Sequence, residues 1–173
     1  RGLIFTAIYK NKKIAIKINN PKSEASGRIK NEGYWLKRLN KSGIGPKLVI
    51  NNDDFVAYEF VEGVTIDDYI KKNSKEAAKK VMLDVLKQCY TLDKIGVNKE
   101  EMHHPVKNII VSNGKPVLID FERVHISEKP KNVTQFVNYI RRVFGVIIDK
   151  DVILRYKKEI NNQNFKKILE IFW

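Results

Sequence analysis

The alternation of apolar and polar residues predicts strands in the first third of the chain. In LIFTAIYKNKKIAIKI, β-branched and aromatic residues flank a turn-like KNKK, a pattern typical of a hairpin. PKLVI and FVAYEFV, separated by NNDD, predict a second hairpin. Between them Ile29, Trp35, Leu36 and Leu39 recur at helical spacing. A helix is therefore expected over SEASGRIKNEGYWLKRLNKSG, with Gly43 as its stop signal.

Helical periodicity dominates the rest of the chain, with one interruption. Thr65 suits the N-cap position of a short helix, and Ser74 suits that of a long amphipathic helix that continues to about Ile95. The interruption is NIIVSNGKPVLIDF, whose Asn113-Gly114 pair predicts a tight hairpin turn. Three more helices are expected, at about 132–144, 149–160 and 162–173.

This order of elements predicts an α+β fold with two parts. Residues 1–61 are expected to form a smaller, strand-rich lobe, and residues 64–173 a mainly helical lobe. A ligand-sized cleft is expected where the two meet.

Composition narrows the class of protein. The hydrophobic fraction of 43% is too high for a disordered chain, and no apolar run is long enough to span a bilayer. We therefore expect a soluble cytoplasmic protein without a membrane partner. Cys89, the single cysteine, is expected to be an ordinary buried thiol. The net charge of +13 favours anionic partners such as nucleotide, RNA or an acidic protein.

Lys17 is the first candidate for chemistry. It lies in IAIKI, where strand alternation places it on the face opposite Ile14, Ile16 and Ile18, which are expected to fill the core. A buried ammonium needs an anionic partner, and Glu32 in the following helix can supply one. A lysine held in this way could bind phosphate groups, although surface lysines are common in so basic a chain.

Asn108 and Asp120 form the second candidate site. Asn108 opens one strand of the Asn113-Gly114 hairpin and Asp120 closes the other, so both project from the same end. A carboxylate and an amide oxygen together suit a hard, oxygen-seeking ion that carries nucleotide phosphates. The alternative is that both are ordinary turn residues.

Taken in order, these segments resemble motifs of the protein-kinase superfamily, particularly its small atypical archaeal members related to the RIO and KEOPS-complex kinases. RGLIFTAIY resembles the end of the glycine-rich loop, with Gly2 at the last loop glycine. This resemblance implies that this sequence lacks the family's first strand and most of that loop. AIK resembles the motif that carries the phosphate-binding lysine, here Lys17. NEGYWLKRLN resembles the helix whose glutamate, here Glu32, pairs with that lysine.

The resemblance continues through the second half of the chain. YEFVEG resembles the hinge, which implies that the backbone of Glu59 and Val61 binds adenine and that Tyr58 guards the pocket behind it. KNIIV and LIDFE resemble the asparagine strand and the DFG motif, which implies that Asn108 and Asp120 hold Mg²⁺.

The chain departs from the family in two respects. DFG has become Asp120-Phe121-Glu122, and no APE motif follows. Few residues separate Phe121 from the next expected helix, which leaves little room for an activation segment. This is typical of a minimal, atypical kinase.

The identity of the catalytic base is left open between Glu101 and His103. Counting without gaps from Asn108 places His103 at the family's base position, whereas a loop two residues longer places Glu101 there and makes KEEMHHP resemble an HGE-type motif. Glu101 is the favoured candidate. If neither acts, the chain is a nucleotide-binding pseudokinase. A zinc site formed by Glu101, His103 and His104 is the remaining alternative.

The resemblance implies a serine/threonine-protein kinase that transfers a phosphoryl group from ATP, with Mg²⁺, to a hydroxyl of a protein. Two alternatives stay open, namely a non-catalytic ATP-binding or RNA-associated module and a small-molecule kinase. The segment KPKNVTQFVNYIRR, basic at its start and amphipathic afterwards, is the best candidate surface for RNA or another partner.

Overall fold

A four-stranded antiparallel sheet forms the first part of the fold. The computed structural model describes residues 2–19 and 27–172. The strands of this sheet, in spatial order β1-β2-β4-β3, are β1 (Leu3–Tyr9), β2 (Lys12–Ile18), β3 (Leu48–Asn51) and β4 (Phe55–Glu59). Lys10 and Asn11 join β1 to β2 with φ angles of 48° and 60°, as a tight hairpin turn of the primed type requires. Both predicted hairpins of this region are confirmed.

Helix α1 (Arg28–Leu39) packs on β3 and β4. A Cβ at Gly33 would lie 2.8 Å from the Cβ of Asn51, so the glycine lets helix and strand approach closely. The chain then turns at Gly43, whose φ is 68°, in agreement with the predicted stop. The residues 23–26 with which the helix was predicted to begin lie outside the described residues.

The second part of the fold is mainly helical. Its elements, in chain order, are β5 (Val64–Thr65), α2 (Ile66–Lys72), α3 (Lys75–Lys94), β6 (Val97–Asn98), β7 (Ile109–Ser112), β8 (Lys115–Leu118), β9 (His125–Ile126), α4 (Asn132–Phe144), α5 (Lys150–Lys158) and α6 (Asn162–Glu170). Strands β5, β7 and β8 form one small sheet, and β6 pairs with β9. The division of the chain into lobes at residues 61 and 64 stays a prediction.

Local signals in the sequence explain where these elements begin and turn. The hydroxyls of Thr65 and Ser74 accept hydrogen bonds from the first turns of α2 and α3, so both predicted N-caps are confirmed. Asn113 and Gly114 have φ angles of 49° and 73°, the conformation expected for this dipeptide between β7 and β8. Helix α6 ends at Glu170, and residue 173 of the predicted last helix lies outside the described residues.

The hydrophobic core runs from the inner face of the first sheet to the buried side of α3 and α4. One expectation about it was wrong. Ala15 belongs to this core, whereas Ile16 and Ile18 lie half-buried on the opposite face of β2. Lys17 therefore shares the inner face with Ala15, where its carboxylate partners lie. In the part of the chain that the structure describes, no helix combines the length and the apolar character needed to cross a membrane.

Candidate functional site

The ammonium of Lys17 is the centre of a cluster of carboxylates. Its Nζ lies 2.7 Å from Oε2 of Glu32, 3.0 Å from Oδ1 of Asp120 and 3.1 Å from Oε2 of Glu122. Strand β2 supplies Lys17, α1 supplies Glu32, and the segment after β8 supplies Asp120 and Glu122. The structure thus brings together residues that lie far apart in the chain.

Electrostatics keep Lys17 charged. Burial by itself would lower the pKa of Lys17, but the carboxylates of Glu32 and Asp120 outweigh this effect and hold the pKa above its ordinary value. Burial raises the pKa of Glu32, and the Lys17 ammonium opposes that rise. Glu32 also accepts a hydrogen bond from the backbone N–H of Phe121, 3.3 Å from its Oε1. The glutamate therefore fixes both the lysine and the chain next to Asp120.

Gly2 lies directly against the stem of Lys17. A Cβ at this position would lie 2.7 Å from the carbonyl oxygen of Ile18 and 3.2 Å from Cγ of Lys17. A larger residue would therefore displace the strand that carries the lysine. The structure places Gly2 beside Lys17, and its role in nucleotide binding stays a prediction.

The backbone of Asp120 adopts an unusual conformation, and a second buried lysine, Lys99, donates a hydrogen bond to it. The φ of Asp120 is 63°, in the left-handed region that non-glycine residues seldom adopt. Nζ of Lys99 donates a hydrogen bond of 2.8 Å to the Asp120 carbonyl and lies 5.1 Å from the ring centroid of Phe121. Burial lowers the pKa of Lys99 to about 8. Sequence reasoning missed Lys99, because no periodic pattern marks the irregular segment that contains it.

Polar contacts anchor the segment that carries Lys99. Its backbone N–H donates to Oδ1 of Asn132 at 2.7 Å, and Nδ2 of Asn132 donates to Oδ1 of Asp93 at 2.6 Å. Asp93 accepts the backbone N–H groups of Asn132 and Val133 and the hydroxyl of Tyr156. A buried carboxylate thus caps α4 and ties it to α3 and α5. These residues were also missed, since no pairing of this kind can be read from sequence spacing.

Asn108, Glu101 and Asp120 line a common cavity of about 50 Å³. The carbonyl of Asn108 accepts the N–H of Ile119 at 2.9 Å, which fixes it beside the strand that leads to Asp120. Its Nδ2 lies 3.4 Å from Oε2 of Glu101, and Oε1 of Glu101 lies 3.2 Å from the Arg123 guanidinium. Glu101 has a φ of 67° and a side chain that is 48% exposed, so its carboxylate is open to solvent at the cavity.

His103 lies elsewhere. It is not among the described residues that line the cavity; its ring packs against that of His104, with centroids 4.8 Å apart. Its carbonyl accepts a hydrogen bond from Arg142. Among the described residues, the acidic and histidine side chains grouped closely enough to hold a metal are Glu32, Asp120 and Glu122, so no zinc cluster of Glu101, His103 and His104 is formed there.

The donors at this site fit a hard divalent cation. Carboxylate oxygens of Glu32, Asp120 and Glu122 lie within 4.8 Å of one another. Asp120 and Glu122 also line the cavity, where Asn108 adds an amide. The Asp120 side chain is 39% exposed, whereas Glu32 is buried against Lys17. The cavity volume of about 50 Å³ exceeds the roughly 10–15 Å³ that a single bound water or ion requires.

The predicted hinge residues lie on β4 and just after it. Burial raises the pKa of Tyr58, whose side chain lies against the same charge cluster. The backbone N–H of Glu59 donates to the carbonyl of Lys47 at 2.8 Å, and its side chain pairs with Lys12. The Glu59 N–H is therefore committed within the sheet, so only its carbonyl could serve adenine. Among the described residues, no hydrogen bond to the backbone of Val61 is found.

Comparisons with known proteins address the fold. No protein-family model matches the chain. The uncharacterized protein MJ1211 of Methanocaldococcus jannaschii is 29% identical over 87 residues, which cover 50% of this chain and 72% of that protein.

A solved structure gives a likeness over nearly the whole chain. WbdD, co-crystallised with the kinase inhibitor LY294002, matches with a TM-score of 0.63 at 16% identity, over 95% of this chain and 43% of the WbdD chain. The chain thus spans less than half of the solved WbdD chain. The relation to RIO and KEOPS-complex kinases stays a prediction. The fold itself is established by this likeness: the chain has an α+β, protein-kinase-like fold.

Proposed function

We propose that this chain is an ATP- and Mg²⁺-dependent phosphotransferase whose acceptor is a Ser or Thr hydroxyl of a protein. The observation that carries the proposal is the contact of Lys17 with both Glu32 and Asp120. A lysine fixed by a glutamate beside a metal-binding carboxylate is the arrangement that positions nucleotide phosphates in kinases. The protein-kinase-like fold supports the same activity.

Each residue has a defined part in this proposal. Lys17 binds phosphate oxygens, and Glu32 holds the lysine in place. Asn108 and Asp120 hold Mg²⁺, which supplies charge neutralisation at the phosphates when it is bound. Lys99 keeps the Asp120 backbone in the conformation that turns its carboxylate towards Lys17. Most of the rate enhancement then comes from positioning and electrostatics.

Glu101 is the proposed base. Its carboxylate is half-exposed at the cavity, and Arg123 and Asn108 fix its two oxygens. From this position it can accept the proton of an acceptor hydroxyl that enters from solvent. His103 packs against His104 and is not among the described residues that line the cavity, which favours Glu101 as the base. A half-exposed base also suits a hydroxyl on the surface of another protein.

Transfer of radiolabel from [γ-³²P]ATP tests the activity. With Mg²⁺ present, label should appear in the chain itself or in an added protein acceptor such as dephosphorylated casein. Asp120→Asn should abolish it, whereas Asp53→Asn, the same chemical change at an exposed site, should leave it intact. ATP binding without any transfer by the unaltered protein would contradict the proposal and favour a pseudokinase. Label in sugars or aminoglycosides but never in protein would replace the proposed acceptor with a small molecule.

A second pair of variants tests the base. Glu101→Gln removes the carboxylate and keeps its size, and it should lower kcat by about 10²- to 10⁴-fold, the usual contribution of a positioned base. His103→Gln should change kcat by less than about threefold. Equal losses in both variants, or a loss in His103→Gln alone, would contradict the assignment. Circular dichroism of each variant checks that the overall fold is retained.

A further inference from the structure

A groove between α4 and α5 lies outside the candidate site. Its volume is about 590 Å³, within the usual range for binding cavities. The floor is aliphatic and is formed by Val137, Ile148, Ile153 and Leu154. Leu154 is 59% exposed and is not packed against the core, so part of this floor has no covering in the chain.

The rim of the groove is basic. Its charged residues are Lys129, Lys131, Arg141, Lys150 and Lys157, and no acidic residue among those described lines it. Within residues 2–19 and 27–172, none of these five cations makes an ion pair. Some cations elsewhere in the chain do pair, as Lys12 does with Glu59 and Arg123 with Glu101. The groove therefore concentrates unneutralised positive charge around an apolar floor.

The spread of the cations indicates the size of the occupant. Lys131 and Arg141 are ten residues apart at the two ends of the same helix, a distance of about 15 Å at 1.5 Å per residue. A single phosphate or carboxylate cannot reach both ends. A peptide helix of about three turns can, and a groove between two helices is a common receptor for such a helix.

The lining also distinguishes a peptide from RNA. Single-stranded RNA is usually held by aromatic side chains that stack on its bases. No aromatic residue is among the described residues that line this groove. Aliphatic side chains flanked by cations instead complement leucine-like anchors flanked by carboxylates.

We propose that this groove binds an acidic amphipathic helical segment of a partner protein. Apolar side chains at positions i, i+3 or i+4, and i+7 of the segment lie on Ile148, Ile153 and Leu154. Its carboxylates lie on either side and pair with the rim cations. The proposal does not depend on phosphotransfer, since it concerns a separate surface and is measured by binding alone.

Fluorescence anisotropy with designed peptides tests this proposal. The probe is a labelled helical peptide of about 14 residues, roughly four turns, with leucines on one face and glutamates elsewhere. It should bind with a Kd in the micromolar range at about 0.15 M salt. Two matched peptides, one with lysine for each glutamate and one with serine for each leucine, should bind at least about tenfold more weakly.

Variants of the chain locate the binding. Arg141→Glu/Lys157→Glu reverses two rim charges, and Leu154→Ser removes an exposed apolar contact. Each should raise the Kd of the probe peptide by about tenfold or more. The matched control is Lys80→Glu/Lys166→Glu, which makes the same change of charge on exposed helical positions outside the groove. This control should change Kd by less than about twofold.

Three results would overturn the proposal. An equal loss of affinity in the control variant would mean that binding of the probe depends only on the overall positive charge. Equal binding of the serine peptide would mean that the apolar floor is not used. A single-stranded RNA of similar length that binds more tightly than the probe and displaces it from the groove would assign the surface to nucleic acid.

Discussion

Lys17 and Lys99 lie on two sides of Asp120 in opposite electrostatic surroundings. Both are buried, and both contact this one residue. Lys17 meets three carboxylates, and two of them, Glu32 and Asp120, outweigh the effect of burial and hold its pKa above the ordinary value. The Lys99 ammonium donates to a neutral carbonyl, and burial lowers its pKa to about 8.

The contrast separates two tasks that a buried lysine can perform. The partners of Lys17 are anions, so a phosphate group can take the place of one carboxylate without leaving the ammonium unpaired. The partner of Lys99 is the backbone at a residue with a φ of 63°, so its hydrogen bond supports a strained conformation. We therefore expect Lys17 to act on the ligand and Lys99 to act on the protein.

The largest expected effect follows from Lys17→Met. Loss of the ammonium removes the proposed phosphate contact and should lower phosphotransfer by about 10²- to 10³-fold. Buried Glu32 loses its partner as well, so the free energy of unfolding should fall by about 3–5 kcal/mol. Label transfer and denaturant unfolding measure the two effects. Lys30→Met, at an exposed surface ion pair, is the control and should change neither quantity. Full activity of Lys17→Met would contradict the proposed role of Lys17 in phosphate binding.

The second effect is a dependence of stability on pH. The folded protein loses the Lys99 proton above about pH 8, whereas the unfolded chain keeps it to about the ordinary value of 10.5. The unfolded state thus binds more protons between these values, and stability rises with pH there, by up to about 3 kcal/mol. Lys17 acts oppositely, because its raised pKa gives stability that is present below 10.5 and is lost above it.

Denaturant unfolding at several pH values between 7 and 10.5 measures this rise. Lys99→Met should lack it, so the unfolding free energy of the unaltered protein minus that of the variant should increase as pH rises through this range. Parallel curves for the two proteins would show that Lys99 titrates as an ordinary lysine.

The smallest effect concerns Glu122, the carboxylate that stands where a DFG motif has glycine. It contacts both Lys17 and Arg28. Glu122→Gln keeps the shape and removes a negative charge that competes with phosphate, so ATP should bind about three- to tenfold more tightly in the absence of metal. A fluorescent ATP analogue measures this affinity. Glu76→Gln, at an exposed helix start, is the control, and weaker binding by Glu122→Gln would instead indicate a direct role in holding the ligand.

Strong local signals made most of the fold predictable from the sequence. The Asn113-Gly114 turn, the caps at Thr65 and Ser74 and the helical periodicity of α3 to α6 all act within a few residues of each other. Strands of two residues, such as β5, β6 and β9, carry no periodic pattern and were not predicted.

Which face of β2 is inward was also beyond the sequence. Isoleucines are compatible with either side of a sheet, and only the positions of Glu32 and Asp120 in space decide where Lys17 points. The same limit applies to the site as a whole. Ordered motifs predicted Lys17, Glu32, Asn108 and Asp120 as site residues. Lys99 instead interacts with a backbone carbonyl 21 residues away, and the pattern of side chains does not reveal a backbone partner.

The hydrogen bond from the Tyr156 hydroxyl to Asp93 limits how far the chain can be shortened from its end. Asp93 holds Asn132, and Asn132 holds the backbone of Lys99, so α5 supports the loop next to the candidate metal ligand through successive hydrogen bonds. Trimming the chain before residue 150 would expose a buried carboxylate and remove that support. A minimal engineered version of this fold must therefore retain α5, although that helix lies far along the sequence from every proposed ligand-binding residue.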